Sequence, residues 1–102
     1  MKHYKKESEF QADLIKTLEN RFPGCIVLKN DAGYKQGIPD LSVFYGNHWA
    51  ALENKLEEDS NHQPNQDWYV NKMNDMSFAR VVYPGNVEEV LNEMERSFQV
   101  SR

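Results

Sequence analysis

Asp40, Glu53 and Lys55 are the residues of this chain whose types and spacing most plainly invite chemistry. Gly46-Asn47 is a dipeptide suited to a two-residue hairpin turn between the runs Asp40 to Tyr45 and His48 to Lys55. If Tyr45 pairs with His48, partner numbers add to 93 along the hairpin, and Asp40 falls opposite Glu53. Two carboxylates facing each other in a sheet repel, and a divalent cation between them is an economical remedy. Side chains alternate along a strand, so Lys55 shares the face of Glu53 and lies diagonal to Asp40. Two hard oxygen ligands and an ammonium suit phosphodiester hydrolysis with Mg²⁺ or Mn²⁺. The cation would polarise the phosphate and activate water, and the lysine would orient that water or stabilise transition-state charge.

The surrounding elements follow from periodicity. Phe10, Leu14, Ile15 and Leu18 recur at helical spacing between Lys6 and Arg21, and Pro23-Gly24 ends the pattern. Cys25 to Lys29 reads as a buried strand, followed by an open loop from Asn30 to Gly37. After the hairpin, Leu56 to His62 reads as a mobile polar loop. Pro64 is placed to start a helix running to about Met76, with Trp68, Tyr69 and Met73 available to pack. Ala79 to Tyr83 reads as the last strand, and Pro84-Gly85 breaks it. Asn86 and Glu89 then form a capping pair for a final helix with the apolar stripe Val90, Leu91, Met94 and Phe98. The expected fold is α/β, a mixed sheet flanked by helices in the order α-β-β-β-α-β-α, as one domain over residues 1–102.

Composition narrows the alternatives. A chain of 102 residues, 39% hydrophobic and 27% charged, suits one core, and pairing with a second copy would add stability and reach. No stretch approaches the roughly 20 apolar residues needed to span a bilayer, and no secretory segment opens the chain, so no membrane and a cytoplasmic location are expected. Cys25 is the only cysteine, which excludes an internal disulfide and a multi-thiolate zinc site, and its place before Ile26-Val27-Leu28 marks it as a small core residue. His3, His48 and His62 have no metal-ligand spacing. The net charge of −4 argues against gripping nucleic acid by bulk positive charge. It is compatible with a site that collects carboxylates for a cation.

The pieces Pro39-Asp40 and Glu53-Asn54-Lys55, together with Gly37-Ile38-Pro39-Asp40, Glu7-Ser8-Glu9-Phe10-Gln11, Gln63 and Gln66, resemble the PD-(D/E)XK nuclease superfamily, and within it the short stand-alone phage members of the VRR-NUC group. The resemblance runs from about Glu7 to Trp68. It implies a restriction-endonuclease-like fold and a metal-dependent endodeoxyribonuclease, with Asp40 and Glu53 as metal ligands, the Asn54 backbone carbonyl as a further ligand and Lys55 as the catalytic lysine. It also implies a first-helix acid. Glu7 is chosen over Glu9 because it shares the helix face of Phe10 and Leu14. Gln66 is expected to reach the site. The implied partners are DNA, flapped or branched in the manner of a Holliday junction, and a second copy of the chain, in the cytoplasm of a bacterial host if the chain is phage-encoded.

Lys2, Lys5, Lys6, Lys29, Lys35 and Arg80 are candidates for a phosphate path. Lys35 leads because it stands just before Gly-Ile-Pro-Asp, and Lys29 and Gln63 are the other expected substrate contacts. The aromatic group Phe44, Trp49, Trp68 and Tyr69 is read as core rather than as a base-stacking platform. Met94 and Phe98 on the final helix, and the edge strand near Arg80, are the expected contacts between copies. Two other readings compete: a catalytically silent nucleic-acid-binding relative, which has no reason to keep all three chemical groups, and an acidic mimic of DNA, which would bind no Mn²⁺ at the carboxylates.

Overall fold

The computed structural model describes residues 3–100. The elements are α1 (Glu7–Arg21), β1 (Ile26–Lys29), β2 (Leu41–Tyr45), β3 (His48–Asn54), α2 (Gln66–Met76), β4 (Phe78–Val82) and α3 (Val87–Val100), the expected α/β order. They build one four-stranded mixed sheet in the order β1-β2-β3-β4, with β3 and β4 parallel and the other pairs antiparallel. Among the described residues no helix is long and apolar enough to cross a membrane.

The hairpin forms in the expected register, with Tyr45 opposite His48 and Leu41 opposite Leu52. Gly46 has φ of 63°, and Asn47 is not among the non-glycine residues with positive φ. That pattern fits a turn with glycine at its first central position, whose twist matches the flanking strands.

Alternation divides the sheet into two unlike faces. Leu41, Val43, Ala50, Leu52, Phe78 and Val82 face α1 and α3, where Phe10, Leu14, Leu18, Val90, Leu91, Met94 and Phe98 complete the main core. On the other face α2 lies over β3 and β4, and the buried set shrinks to Ala51, Val70 and Ala79, with Trp49, Met73 and Val81 packed at its margin.

Several sequence expectations are corrected. The strand at Cys25 to Lys29 is not buried but is an edge strand, with Ile26 59% and Leu28 49% exposed. An apolar run of four is compatible with one-sided as well as two-sided burial, and α2 stops short of β1. The aromatic group is not core either. Phe44 and Trp68 are exposed and Trp49 and Tyr69 only half-buried. Met94 and Phe98 are consumed by the core and cannot form a contact between copies.

The helix expected from Pro64 begins instead at Gln66. Residues Gln63 to Gln66 form a turn closed by the Gln66 N–H donating to Gln63 O at 3.2 Å, with Pro64 second and Asn65 third at φ 73° and ψ −8°. Proline second and a left-handed asparagine third is the type II pattern. Asn86 does not cap α3. Its Oδ1 accepts the Tyr83 N–H and its Nδ2 donates to Val81 O, tying the end of β4 to the short 3-10 turn Pro84–Asn86.

Candidate functional site

Asp40 stands one residue before β2, in the register place that continues Leu41 to Leu52 and so faces Glu53. Its position is set from two sides. Its carbonyl accepts the Asn30 N–H at 2.8 Å, and its Oδ2 accepts the Asn54 N–H at 2.8 Å. Asn30 also donates from Nδ2 to Pro39 O and to the Ser42 hydroxyl, both at 2.9 Å, so one side chain fastens the turn on either side of Asp40. Sequence reasoning missed Asn30 and Ser42. The only signal was an asparagine at the entrance of a loop, which is common to many loops.

Glu53 is 1% exposed, at the end of β3 on the α2 face. Its Oε2 accepts a hydrogen bond from Gln66 Nε2 at 2.5 Å and stands 3.5 Å from Lys55 Nζ. Its Oε1 is buried with no hydrogen-bond partner within the protein. Burial and the neighbouring Asp40 carboxylate together push the Glu53 carboxyl up to about 7, against the pull of Lys55. Asp40 is likewise raised by burial, with the Asn54 N–H and Lys55 acting in the opposite direction. Lys55, also buried, is the third member of the set, and its N–H is held by Val82 O at 2.8 Å.

Glu7 and Glu9 separate by task. Glu9 Oε1 accepts the N–H groups of Lys5 and Lys6 at 3.0 and 2.9 Å, closing the first turn of α1. Glu7 is exposed, yet partial desolvation raises its carboxyl, Lys55 lowers it and Asp40 raises it again, which places it in the field of the central pair. Gln66 joins the site directly through Glu53. Its Oε1 is engaged by the Gln63 N–H at 2.7 Å, so the amide bridges the turn before α2 to the carboxylate.

The other candidates lie further out. Gln63 contributes its N–H to that turn, and the residue is exposed. Lys29 is exposed at the last position of β1, and Lys35 is exposed in the loop before Gly37 with Nζ 5.9 Å from the Tyr34 ring centroid. Arg80 is paired with Glu93 and Asn74 beside α3 and α2. Lys5 and Lys6 are exposed before α1, and Lys2 lies outside the described residues. The Asn54 side chain alternates to the opposite face from Glu53, fully buried with neither amide atom partnered within the protein.

Gly37 explains how the loop carrying Asp40 is joined to the helix carrying Gln66. At φ 92°, a Cβ on Gly37 would lie 2.6 Å from Pro64 O and 2.7 Å from Asn65 Cβ. Any side chain there would part the two segments, in addition to the strain of positive φ.

Among the described residues no three His, Cys, Asp or Glu side chains gather closely enough to hold a metal ion by themselves. Asp40 and Glu53 nevertheless fit a hard divalent cation as a pair. They are opposed acids raised by their surroundings, and one carboxylate oxygen has no partner in the protein. Mg²⁺ commonly takes one or two protein carboxylates and keeps several waters, so two such ligands meet its needs. Comparison with protein-family models, with curated proteins and with solved structures gives no match for this chain.

Proposed function

We propose that this chain is a metal-dependent endonuclease that hydrolyses DNA phosphodiester bonds, of the PD-(D/E)XK kind and similar to the VRR-NUC group. The observation that carries the reading is the opposition of Asp40 and Glu53 at the end of one hairpin, with Lys55 Nζ 3.5 Å from Glu53. Directly opposed carboxylates repel in a sheet unless something compensates, and a shared divalent cation is one such compensation.

Asp40 and Glu53 would hold Mg²⁺ or Mn²⁺, with the Asn54 carbonyl and Glu7 as further donors, directly or through water. The cation would supply Lewis acidity at the phosphate and a more acidic bound water. Lys55 places a positive charge beside Glu53, where it can orient the attacking water and stabilise charge as the phosphate is attacked. Gln66 keeps the Glu53 carboxylate turned toward that position. Lys35 and Lys29, exposed on the loop and strand that lead to Asp40, would meet phosphates flanking the cut.

The test is incubation with labelled linear, flap and four-way-junction DNAs in Mn²⁺ or EDTA. Cleavage should require the metal and disappear in Asp40→Asn. Lys55→Ala should lower it by about 10²–10⁴-fold while calorimetric Mn²⁺ affinity is kept or raised. Retained cleavage in either variant refutes the assignment. A cut through both strands at one place needs two copies of this single site, so a homodimer belongs to the same reading. Light scattering would then report about twice the 12.0 kDa chain mass.

A further inference from the structure

The sheet has two helices packed on one face, α1 and α3, and only α2 on the other, over β3 and β4. Leu41 and Val43 point to α1 and α3, so Ser42 and Phe44 point to the α2 face. Ile26 pairs with Phe44 and Leu28 with Ser42, which puts three exposed apolar side chains on one bare floor. Phe44 pairs in turn with Trp49 on β3, at the foot of α2.

Beside that floor α2 forms a step about 10 Å high, one helix diameter. What its residues touch tells its sides apart. Gln66, Val70 and Met73 form the side turned to the sheet, and Asn74, whose Oδ1 accepts the Ala79 N–H, marks the flank over β4. At about 100° per residue, Tyr69 and Met76 fall on the other flank, the one beside the bare strands, where Met76 lines a cavity with Trp49. Trp68, 59% exposed, is about 200° round the helix from Gln66 and points away from its own sheet.

We propose that a second copy of this chain is seated on this face about a twofold axis, with the two α2 helices side by side between the two sheets. Each helix keeps Val70 on its own strands and lays Trp68 on the bare floor of the other copy. A twofold contact needs both halves on one chain, and the floor and the outward side of α2 are such halves. Ile26, Leu28, Phe44, Trp68 and Met76 expose on the order of 600 Å² per copy, so two copies reach about 1,200 Å², where specific stable interfaces begin. Lys72 and Asp75, on the outward side of α2, cancel in charge, and the glutamates of α3 lie behind the opposite face of the sheet, so the net charge of −4 opposes the contact least here. The contact does not rest on the hydrolytic reading.

The test is light scattering of the full chain at about 100 µM, since a dimer of this area depends on concentration. The wild type should report about twice the 12.0 kDa chain mass. Leu28→Lys and Trp68→Glu should each raise the dimer dissociation constant by at least about tenfold, and, both sites being exposed, each should keep the thermal midpoint of the dilute wild type. Mixing the two variants should restore the dimer. One contact in the mixed pair is then wild type, and in the other the introduced lysine faces the introduced carboxylate. A monomeric wild type, a dimer that survives either substitution, or a mixture that stays monomeric overturns the inference. A dimer restored by mixing but without Mn²⁺-dependent cleavage keeps this interface and removes the hydrolysis, whereas cleavage by a monomeric wild type does the reverse.

Discussion

The two faces of the sheet are built to different ends. The face toward α1 and α3 carries leucines, valines and phenylalanines and, apart from exposed Glu7 at the start of α1, none of the candidate catalytic side chains. The face toward α2 has a small alanine- and valine-lined patch over β3 and β4, bare strands at β1 and β2, and the acids at its end. Hydrophobic burial scales with apolar area, so stability must come mainly from the first face. The second face can then tolerate opposed carboxylates, a buried lysine and exposed rings. Charged groups that are costly to bury sit where little else depends on them.

The largest expected effect breaks the first face. Leu52 is fully buried there opposite Leu41, and Leu52→Ala should cost about 2–5 kcal/mol in denaturant unfolding. Val70→Ala on the α2 face should cost only about 1–2 kcal/mol, from its smaller loss of buried surface. Equal losses would show that the α2 face carries as much of the stability.

Glu53→Gln sharpens the comparison from the other side. The folded-state Glu53 carboxyl lies near 7, above its ordinary 4.5, so the native protein holds a proton that the unfolded chain gives up. The stability this proton confers is complete below about pH 4.5 and is lost as pH rises through 7. In EDTA the wild type should therefore lose stability as pH rises from about 4 to 8. Glu53→Gln should flatten that slope and be the more stable protein at about pH 8. Added Mn²⁺ should raise the melting temperature of the wild type and leave the variant nearly unchanged. A variant with the wild-type pH slope would show that Glu53 is not the group under strain.

What the sequence made legible was local. The hairpin register follows from Gly46-Asn47 and strand alternation, because a two-residue turn determines all the pairs behind it, and Asp40 opposite Glu53 was readable on those grounds. The helices α1 and α3 were readable from 3.6-residue periodicity for the same reason. What was hidden depends on where one element stops over another. The exposure of Ile26, Leu28 and Phe44 follows from α2 covering only β3 and β4, and no pattern within β1 or β2 records that. The role of Asn30 as the fastening of Asp40, and the closeness of Gly37 to Pro64 and Asn65, are likewise contacts between segments far apart in the chain. Gln66 was legible only through resemblance. Its hydrogen bond to Glu53 rests on a turn that starts the helix two residues later than Pro64 suggested.

The smallest expected effect belongs to the bare quarter of the second face. Leu28 lies on β1, half exposed, with Ser42 beside it in the register and no helix above. Leu28→Lys replaces an apolar side chain that already meets water with one whose stem can lie along the strand and whose ammonium remains solvated. The change in unfolding free energy should stay within about 0.5 kcal/mol, as for most surface substitutions, while Leu52→Ala across the sheet costs several times more. Lysine on an edge strand also discourages pairing between sheets, so the variant should be at least as soluble as the wild type. A cost above about 1 kcal/mol in dilute protein would mean that β1 is covered within the monomer, and the contrast between a packed and an open face would have to be redrawn.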